Sequence, residues 1–224
     1  MVDLKVYFHV IAKNKTESGG YLSKVRIQEQ MKVLNDSFSE TGITWSLANT
    51  TYTVNPEWFL YADYDIGVEK AMKSKLRQGG VADLNVYSVS FETSELSGFA
   101  TFPWLYKARP LLDGVLLRYT VLPGGTRRSR GLGKTLVHEA GHWGGLLHTF
   151  EGGCDLDGDK VRDTPPTLET TDCNVDSDTC PQLRGKDPIY NYMSYSNDFC
   201  RTEFTLGQIH LLRSTLSRLR NIQF

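Results

Sequence analysis

The chain has 224 residues, of which 40% are hydrophobic, and it carries a formal net charge of −1. This length and hydrophobic content are sufficient for one domain with a substantial core. The near-neutral charge gives no electrostatic basis for binding nucleic acid or an anionic membrane. No apolar run reaches the ~18 residues that a membrane-spanning helix needs. We therefore expect neither nucleic acid nor a membrane as a partner.

The first half of the chain alternates between predicted strands and helices. An apolar strand pattern is found in three runs: residues 4–11, 43–54 and 83–91. Apolar side chains at helical spacing are found in two segments between them: residues 23–38 and 65–78. His9 lies inside the first strand pattern, where a buried structural histidine is more common than a metal ligand. We therefore do not assign His9 to a metal.

Two more strand patterns precede the central motif. Residues 98–103, GFATFP, indicate an edge strand, and residues 114–121 indicate an inner strand. The edge strand has two interpretations, which stay open here. It is either an ordinary edge strand or a binding site for an extended peptide. In the second case the substrate-binding residues are these four: Gly98, Phe99, Ala100 and Thr101. The arginine-rich run RRSR at residues 127–130 is interpreted as an exposed loop, with an autolysis site as the alternative.

Residues 138–148 read HEAGHWGGLLH and fit the pattern H-E-x-x-H-x-x-G-x-x-H. A helix beginning near residue 133 or 134 places His138 and His142 on one face, where they can share one ion. Gly145 can adopt a positive φ and turn the chain, so that His148 supplies a third ligand. Three neutral histidines leave one position open for water, which is typical of a catalytic zinc site.

Glu139 follows the first of these histidines and is the candidate catalytic residue. We expect its carboxylate to take a proton from a zinc-bound water and to pass it to the leaving amine of a peptide bond. Two alternatives stay open: a catalytically inactive binding domain with the same fold, and a zinc hydrolase of a non-peptide amide. The intact glutamate and three histidines count against the inactive domain.

The motif and the chain that follows it resemble the metzincin zinc peptidases, and among them the pappalysin family. The segment NYMSY at residues 191–195 is similar to the metzincin turn. The resemblance places Met193 below the zinc and gives Tyr195 a role in holding the reaction intermediate. HTF at residues 148–150 and DTP at residues 163–165 also resemble the pappalysin pattern. The resemblance extends over the whole chain, with its specific motifs within residues 138–205.

The resemblance implies an α+β, metzincin-like fold: a twisted mixed five-stranded sheet with helices, then an irregular, disulfide-stapled C-terminal subdomain. One metallopeptidase domain would span residues 1–224, with an upper subdomain of about residues 1–145 and a lower one of about residues 146–224. Residues 206–218 are predicted to be the last helix, because Thr205 and Gln208 form a capping-box pattern. We expect a monomeric zinc endopeptidase that acts on extended protein or peptide substrates.

All four cysteines follow the zinc motif. They allow three pairings, and their spacing does not choose among these. A second zinc site is disfavoured because no C-x-x-C spacing occurs. The resemblance implies the interlaced pairs Cys154–Cys180 and Cys173–Cys200. Disulfides indicate an oxidising compartment, so we expect a secreted, extracellular protein. The first residues lack the apolar core of a signal peptide, so a signal and a pro-segment would lie outside this sequence.

Two further predictions concern calcium and specificity. Residues 155–163, DLDGDKVRD, crowd carboxylates around a glycine, which suggests a Ca²⁺ loop or simply a solvated acidic surface. The candidate calcium ligands are Asp155, Asp157, Asp159 and Asp163. Several pappalysins prefer a basic residue directly after the scissile bond. The resemblance makes Asp198 the candidate for that pocket, whereas its neighbour Phe199 would make the pocket apolar.

Overall fold

A mixed five-stranded sheet is the framework of the computed structural model, which describes residues 1–63, 66–92, 94–155 and 158–224. The strands in chain order are β1 (Val2–Ala12), β2 (Ile43–Val54), β3 (Leu84–Val89), β4 (Gly98–Ala100) and β5 (Val115–Arg118). Their spatial order is β2-β1-β3-β5-β4. All neighbours are parallel except β4, which runs antiparallel to β5 at one edge. The predicted mixed sheet is confirmed.

The described residues form helices on both faces of this sheet. The helices are α1 (Lys24–Phe38), α2 (Pro56–Tyr61), α3 (Ile66–Leu76), α4 (Lys134–Trp143) and α5 (Leu206–Arg220). The short helix α2 was not predicted, although Asn55 caps it and Pro56 begins it. The predicted start of α3 at residue 65 lies outside the described residues. The predicted strand over residues 114–121 ends early, because Tyr119–Val121 form a 3-10 turn.

The alternation of side chains along β1 explains why both faces of the sheet are buried. Successive residues point to opposite faces, so Val6 and Phe8 do not share a face with Ile11. The first face packs against α1, α4 and α5 in the larger core, which contains Leu34. The second face packs against α2 and α3 in a smaller core, which contains Phe59. The histidine motif in α4 is therefore held by the larger core.

His9 is a structural histidine of the sheet, as expected from its strand pattern. It is fully buried and stacks on Tyr87, with ring centroids 4.6 Å apart. Its Nδ1 lies 2.8 Å from the Thr51 hydroxyl, and its Nε2 lies 3.0 Å from Asn85 Oδ1. Burial lowers the pKa of His9 to about 4. Both ring nitrogens are thus engaged within the sheet, away from the H-E-x-x-H motif.

The chain between α4 and α5 is mostly irregular and is cross-linked by two disulfides. Cys154 is bonded to Cys180 and Cys173 to Cys200, with Cα–Cα distances of 5.6 and 6.0 Å. These are the interlaced pairs that the resemblance implied. Such bridges stabilise a region with little regular structure by restricting its unfolded chain.

The last helix, α5, returns to the core of the sheet. Its first turn has the predicted capping box, in which Thr205 and Gln208 each bond the other's backbone. Leu212 and Leu216 are almost fully buried in the larger core beside Trp143. The C-terminal part of the chain therefore contributes to the same core as the sheet. Within the described ranges, no helix combines the length and apolarity needed to cross a bilayer.

Candidate metal centre and active site

Helix α4 and the turn after it determine where the motif side chains lie. His138, Glu139 and His142 lie within α4 and are all less than 7% exposed. The helix ends at Trp143, and Gly145 has a φ of +103°, which L side chains rarely adopt. A Cβ at that position would also lie 2.6 Å from Thr215 Cγ2. The turn therefore requires glycine for its backbone and for its packing against α5.

The three predicted histidines converge on one point. His142 Nε2 lies 3.1 Å from His138 Nε2 and 3.0 Å from His148 Nε2. Among the described residues, these three form the one group of histidine, cysteine or acidic side chains whose ligand atoms cluster closely enough for a metal. The structure therefore brings together all three residues of the sequence motif.

The outer nitrogens of two of these rings fix their tautomers. His138 Nδ1 lies 2.8 Å from the carbonyl oxygen of Tyr192, and His142 Nδ1 lies 2.7 Å from that of Leu146. A carbonyl only accepts, so each Nδ1 carries the proton and each Nε2 of the neutral ring presents a lone pair. Lone pairs that converge at about 3 Å repel one another unless a cation lies between them. The donor set therefore fits a metal ion, and the two carbonyls serve as outer partners.

Burial keeps the three imidazoles neutral at physiological pH. It lowers the pKa of His142 to about 4 and that of His148 to about 3. The pKa of His138 falls well below its usual value, because of burial first and of the neighbouring His142 and Arg201 second. Neutral imidazoles are the form that binds metals, so the site is ready to coordinate near pH 7.

Glu139 lies beside the histidines, and one of its carboxylate oxygens accepts no hydrogen bond from the described residues. Its side chain is 5% exposed, and its Oε2 has no hydrogen-bond partner among the described residues. Burial raises the pKa of Glu139 to about 8, and Arg201 opposes this effect. A cation at the neighbouring histidines would oppose it further, since positive charge favours the carboxylate. A buried, unsatisfied carboxylate beside a metal site can accept a proton.

The turn at residues 191–195 lies directly beneath α4. The Met193 backbone N–H donates to Asn191 Oδ1 at 2.9 Å, and the Asn191 side chain exchanges two hydrogen bonds with Gln208 of α5. A Cβ on Gly141 would lie 2.5 Å from Met193 Sδ, so the helix needs glycine there to let the thioether approach. Met193 is fully buried. The structure thus places Met193 under the helix that carries the first two histidines.

Tyr195 lies next to the histidine cluster. Its ring centroid is 4.8 Å from that of His148 and 5.6 Å from that of His138. Burial raises the pKa of Tyr195, and the nearby Glu139 raises it further. The phenol therefore keeps its proton at neutral pH and can donate a hydrogen bond near the metal site.

Strand β4 offers free backbone groups next to the site. The Ser97 carbonyl accepts from Arg118 N–H at 2.9 Å, and Thr101 N–H donates to the Gly114 carbonyl at 3.0 Å. In an antiparallel pair alternate residues bond the same neighbour. Gly98 and Ala100 therefore direct their backbone groups away from β5, toward the open edge of the sheet. Of the four predicted binding residues, Phe99 and Thr101 therefore direct their backbone groups inward.

Asp198 does not present a free carboxylate. It is 2% exposed and forms an ion pair with Arg201 through Oδ1. Its Oδ2 accepts a hydrogen bond from the Leu132 backbone N–H at 2.9 Å. Phe199, the alternative, is 72% exposed. The predicted preference for a basic residue through Asp198 therefore loses its physical basis, because an arginine already neutralises that carboxylate. Arg201 lies only three residues after Asp198, so the sequence could have suggested this ion pair.

The predicted calcium loop is not supported. Asp163 accepts hydrogen bonds from the Thr205 hydroxyl at 2.7 Å and the Gly207 N–H at 2.8 Å, so it caps α5. Asp159 is buried and accepts from Thr164 and from the Val161 N–H. Within the described residues, Asp155, Asp159 and Asp163 do not cluster as metal ligands. Asp157 lies outside the described residues.

A cavity of about 170 Å³ opens beside Glu139 and was not predicted. Three arginines line it: Arg127, Arg130 and Arg201. The run at residues 127–130 was interpreted as an exposed loop, and Arg128 is indeed exposed. Arg130, by contrast, donates to the Tyr195 carbonyl at 2.5 Å and lies 5.8 Å from the centroid of that ring. Arg127 and Arg130 are partly buried whereas Arg128 and Ser129 are exposed, a difference that the composition of the run does not predict.

Comparisons with known proteins agree with this geometry. A family model described as pregnancy-associated plasma protein-A, of the M43 peptidases, matches residues 84–217. The chain is 42% identical to an extracellular metalloprotease of Verticillium alfalfae, over 95% of this chain and 76% of that protein. It is 44% identical to one of Podospora anserina, over 92% and 71% respectively. The structure resembles mature mirolysin of Tannerella forsythia in complex with a cleaved peptide, with a TM-score of 0.79 and 25% identity over 96% of this chain and 92% of that one.

The fold and the site together define a metzincin-type metalloendopeptidase. The chain belongs to the pappalysin family of these enzymes. Its relatives are extracellular metalloproteases, which confirms the expected secretion. Its substrates are therefore proteins or peptides. Membership of a family of active peptidases also counts against the inactive binding domain that the sequence left open.

Proposed function

We propose that the protein is a secreted zinc endopeptidase in which His138, His142 and His148 hold the metal and Glu139 acts as general base and acid. The observation that carries this proposal is the convergence of three Nε2 atoms beside the unpartnered Glu139 Oε2. Three neutral imidazoles in a closely spaced set suit zinc and leave a coordination position for a reactant. When bound, zinc acidifies water and polarises the carbonyl of the scissile bond.

Glu139 transfers a proton from the attacking water to the nitrogen of the scissile bond. Its buried carboxylate accepts a proton from the attacking water, because Oε2 has no competing donor in the described protein. The same group then delivers that proton to the nitrogen of the scissile bond, and the amine leaves. Burial excludes bulk water from this carboxylate, which keeps the proton on the reaction path.

Tyr195 stabilises the negative charge that develops on the carbonyl oxygen. Its phenol stays protonated near neutral pH and stands beside His148. The Arg130 guanidinium lies over the Tyr195 ring, 5.8 Å from its centroid, and donates to the Tyr195 carbonyl, which restricts the position of Tyr195. A donor held in place before the reaction stabilises the transition state without reorganisation.

Strand β4 holds the substrate in an extended conformation. The outward backbone groups of Gly98 and Ala100 can pair with a polypeptide that adds as a strand at the sheet edge. Gly98 also lies close to the catalytic residue, since a Cβ on it would be 3.1 Å from Glu139 Cγ. A peptide paired with β4 therefore passes Glu139. This geometry favours polypeptides over small non-peptide amides.

Methylating the backbone nitrogens of a cleaved peptide one at a time tests this binding mode. We expect kcat/KM to fall at every second position by roughly three- to tenfold, the effect of one lost hydrogen bond. The intervening positions are the matched controls, since their N–H groups point away from β4. A uniform effect, or none beyond the scissile bond, would contradict pairing with β4.

A further inference from the structure

The cavity beside Glu139 is placed to receive one particular substrate side chain. It is bordered by Glu139 and His138, and also by Gly98 of β4. This step rests on the proposed function: the nitrogen that Glu139 protonates belongs to the residue directly after the scissile bond. The side chain of that residue therefore starts next to Glu139, at the mouth of the cavity.

Two polar groups that line the cavity have no hydrogen-bond partner in the described protein. Thr135 Oγ1 and Arg201 Nε are both buried and have no hydrogen-bond partner among the described residues. Buried polar groups are nearly always satisfied, and leaving one unpaired is costly. An arginine N–H can only donate, so its missing partner must be an acceptor. The cavity is therefore built to be completed by an acceptor on a ligand.

The charges around the cavity favour an acceptor that is negative. Arg130 and Arg127 add two guanidinium groups to that of Arg201. Among the acids, Asp198 is already bonded to Arg201 and Leu132. The Glu95 side chain is fully exposed at 3.6 Å from Arg127, so water screens its charge. Glu139 also borders the cavity, and the cation that the neighbouring histidines would hold offsets its charge.

We propose that this cavity binds the carboxylate of an acidic substrate residue directly after the scissile bond. Arg201 and Thr135 donate to the carboxylate from the inner wall, and Arg130 contributes a second positive charge. Hydrogen bonds to a charged group are stronger than neutral ones, so Glu and Asp are selected over Gln and Asn. Lys and Arg are disfavoured because three guanidinium groups of like charge line the cavity.

The test uses peptides that are identical except for the residue after the cleaved bond, which is Glu, Gln, Ala or Lys. With the zinc-loaded wild-type enzyme we expect kcat/KM for Glu to exceed that for Gln by about tenfold, with Lys the poorest. Equal or faster cleavage of the Lys peptide would overturn the acidic preference and leave the peptidase function intact. Failure to cleave any of the peptides, or casein, would instead count against the proposed function.

Two variants test the pocket itself. Arg130→Gln should lower the ratio of kcat/KM for Glu over Gln by at least about threefold. Taking the ratio within one variant cancels any general loss caused by the contact of Arg130 with Tyr195. Arg128→Gln is the matched control, because Arg128 is exposed and does not line the cavity, and it should leave the ratio unchanged. An unchanged ratio in Arg130→Gln would contradict the proposal.

Discussion

Glu139→Gln should reduce kcat on a peptide substrate on the order of 10³-fold while the protein keeps its fold and its zinc. Glutamine has nearly the same shape, but its amide cannot accept the proton that the carboxylate takes from water. General acid and base catalysis by one positioned group contributes about 10²- to 10⁴-fold, and Glu139 serves in both roles. Because the three histidines are unchanged, the metal content should remain that of the wild type.

The matched control for this change is Glu151→Gln. Glu151 is exposed and lies three residues after His148. The substitution therefore removes the same charge near the site without changing the cavity beside Glu139. Its kcat should stay within about twofold of wild type. If Glu139→Gln retained more than about a tenth of the wild-type kcat, another group would have to be the base.

Arg220→Met should lower the free energy of unfolding by about 3–5 kcal/mol, the cost of stranding one partner of a buried ion pair. Arg220 is fully buried and its two terminal nitrogens lie 2.9 and 3.1 Å from the Asp113 oxygens. It also donates to the Trp143 carbonyl at 3.1 Å and stacks on that indole at 3.6 Å. Trp143 directly follows His142, so this cluster fixes the end of the catalytic helix to α5.

Chemical denaturation of the purified variants measures this effect. Arg218→Met is the matched control, because Arg218 is exposed on the same helix, and its unfolding free energy should change by less than about 0.5 kcal/mol. Asp113→Asn should also destabilise the protein, since it leaves the Arg220 charge buried without its counter-ion. A loss below about 1 kcal/mol in Arg220→Met would show that the pair contributes little beyond packing.

Much of the site could be predicted because its signals are local. Helical spacing places His138 and His142 on one face, and Gly145 supplies the turn for His148, all within eleven residues. The strands and the longer helices also carry their own periodicity. The missed helix α2 had a local signal too, in the Asn55 cap followed by Pro56.

The remaining features depend on contacts between distant parts of the chain. Asp113 and Arg220 are separated by 107 residues, and no local pattern joins them. Asp163 resembled a calcium ligand because its role, capping α5, depends on residues more than 40 positions away. The cavity likewise combines Arg130, from a loop before α4, with Arg201, from the segment after the disulfide at Cys200. These contacts exist only in the folded protein, so the sequence alone could not predict them.

The central claim is that the three histidines bind one zinc ion and that this ion is required for cleavage of polypeptides. The direct measurement compares the wild type with His142→Ala. Bound zinc is measured by mass spectrometry, and casein cleavage is measured by fragment analysis. Both are measured before chelation, after chelation, and after zinc is added back. We expect one zinc ion per wild-type chain, and internal casein fragments that vanish on chelation and return with zinc. His142→Ala should contain no zinc and should produce no fragments. Casein cleavage that persists in the metal-free wild type, or in a folded His142→Ala protein without zinc, would contradict this account.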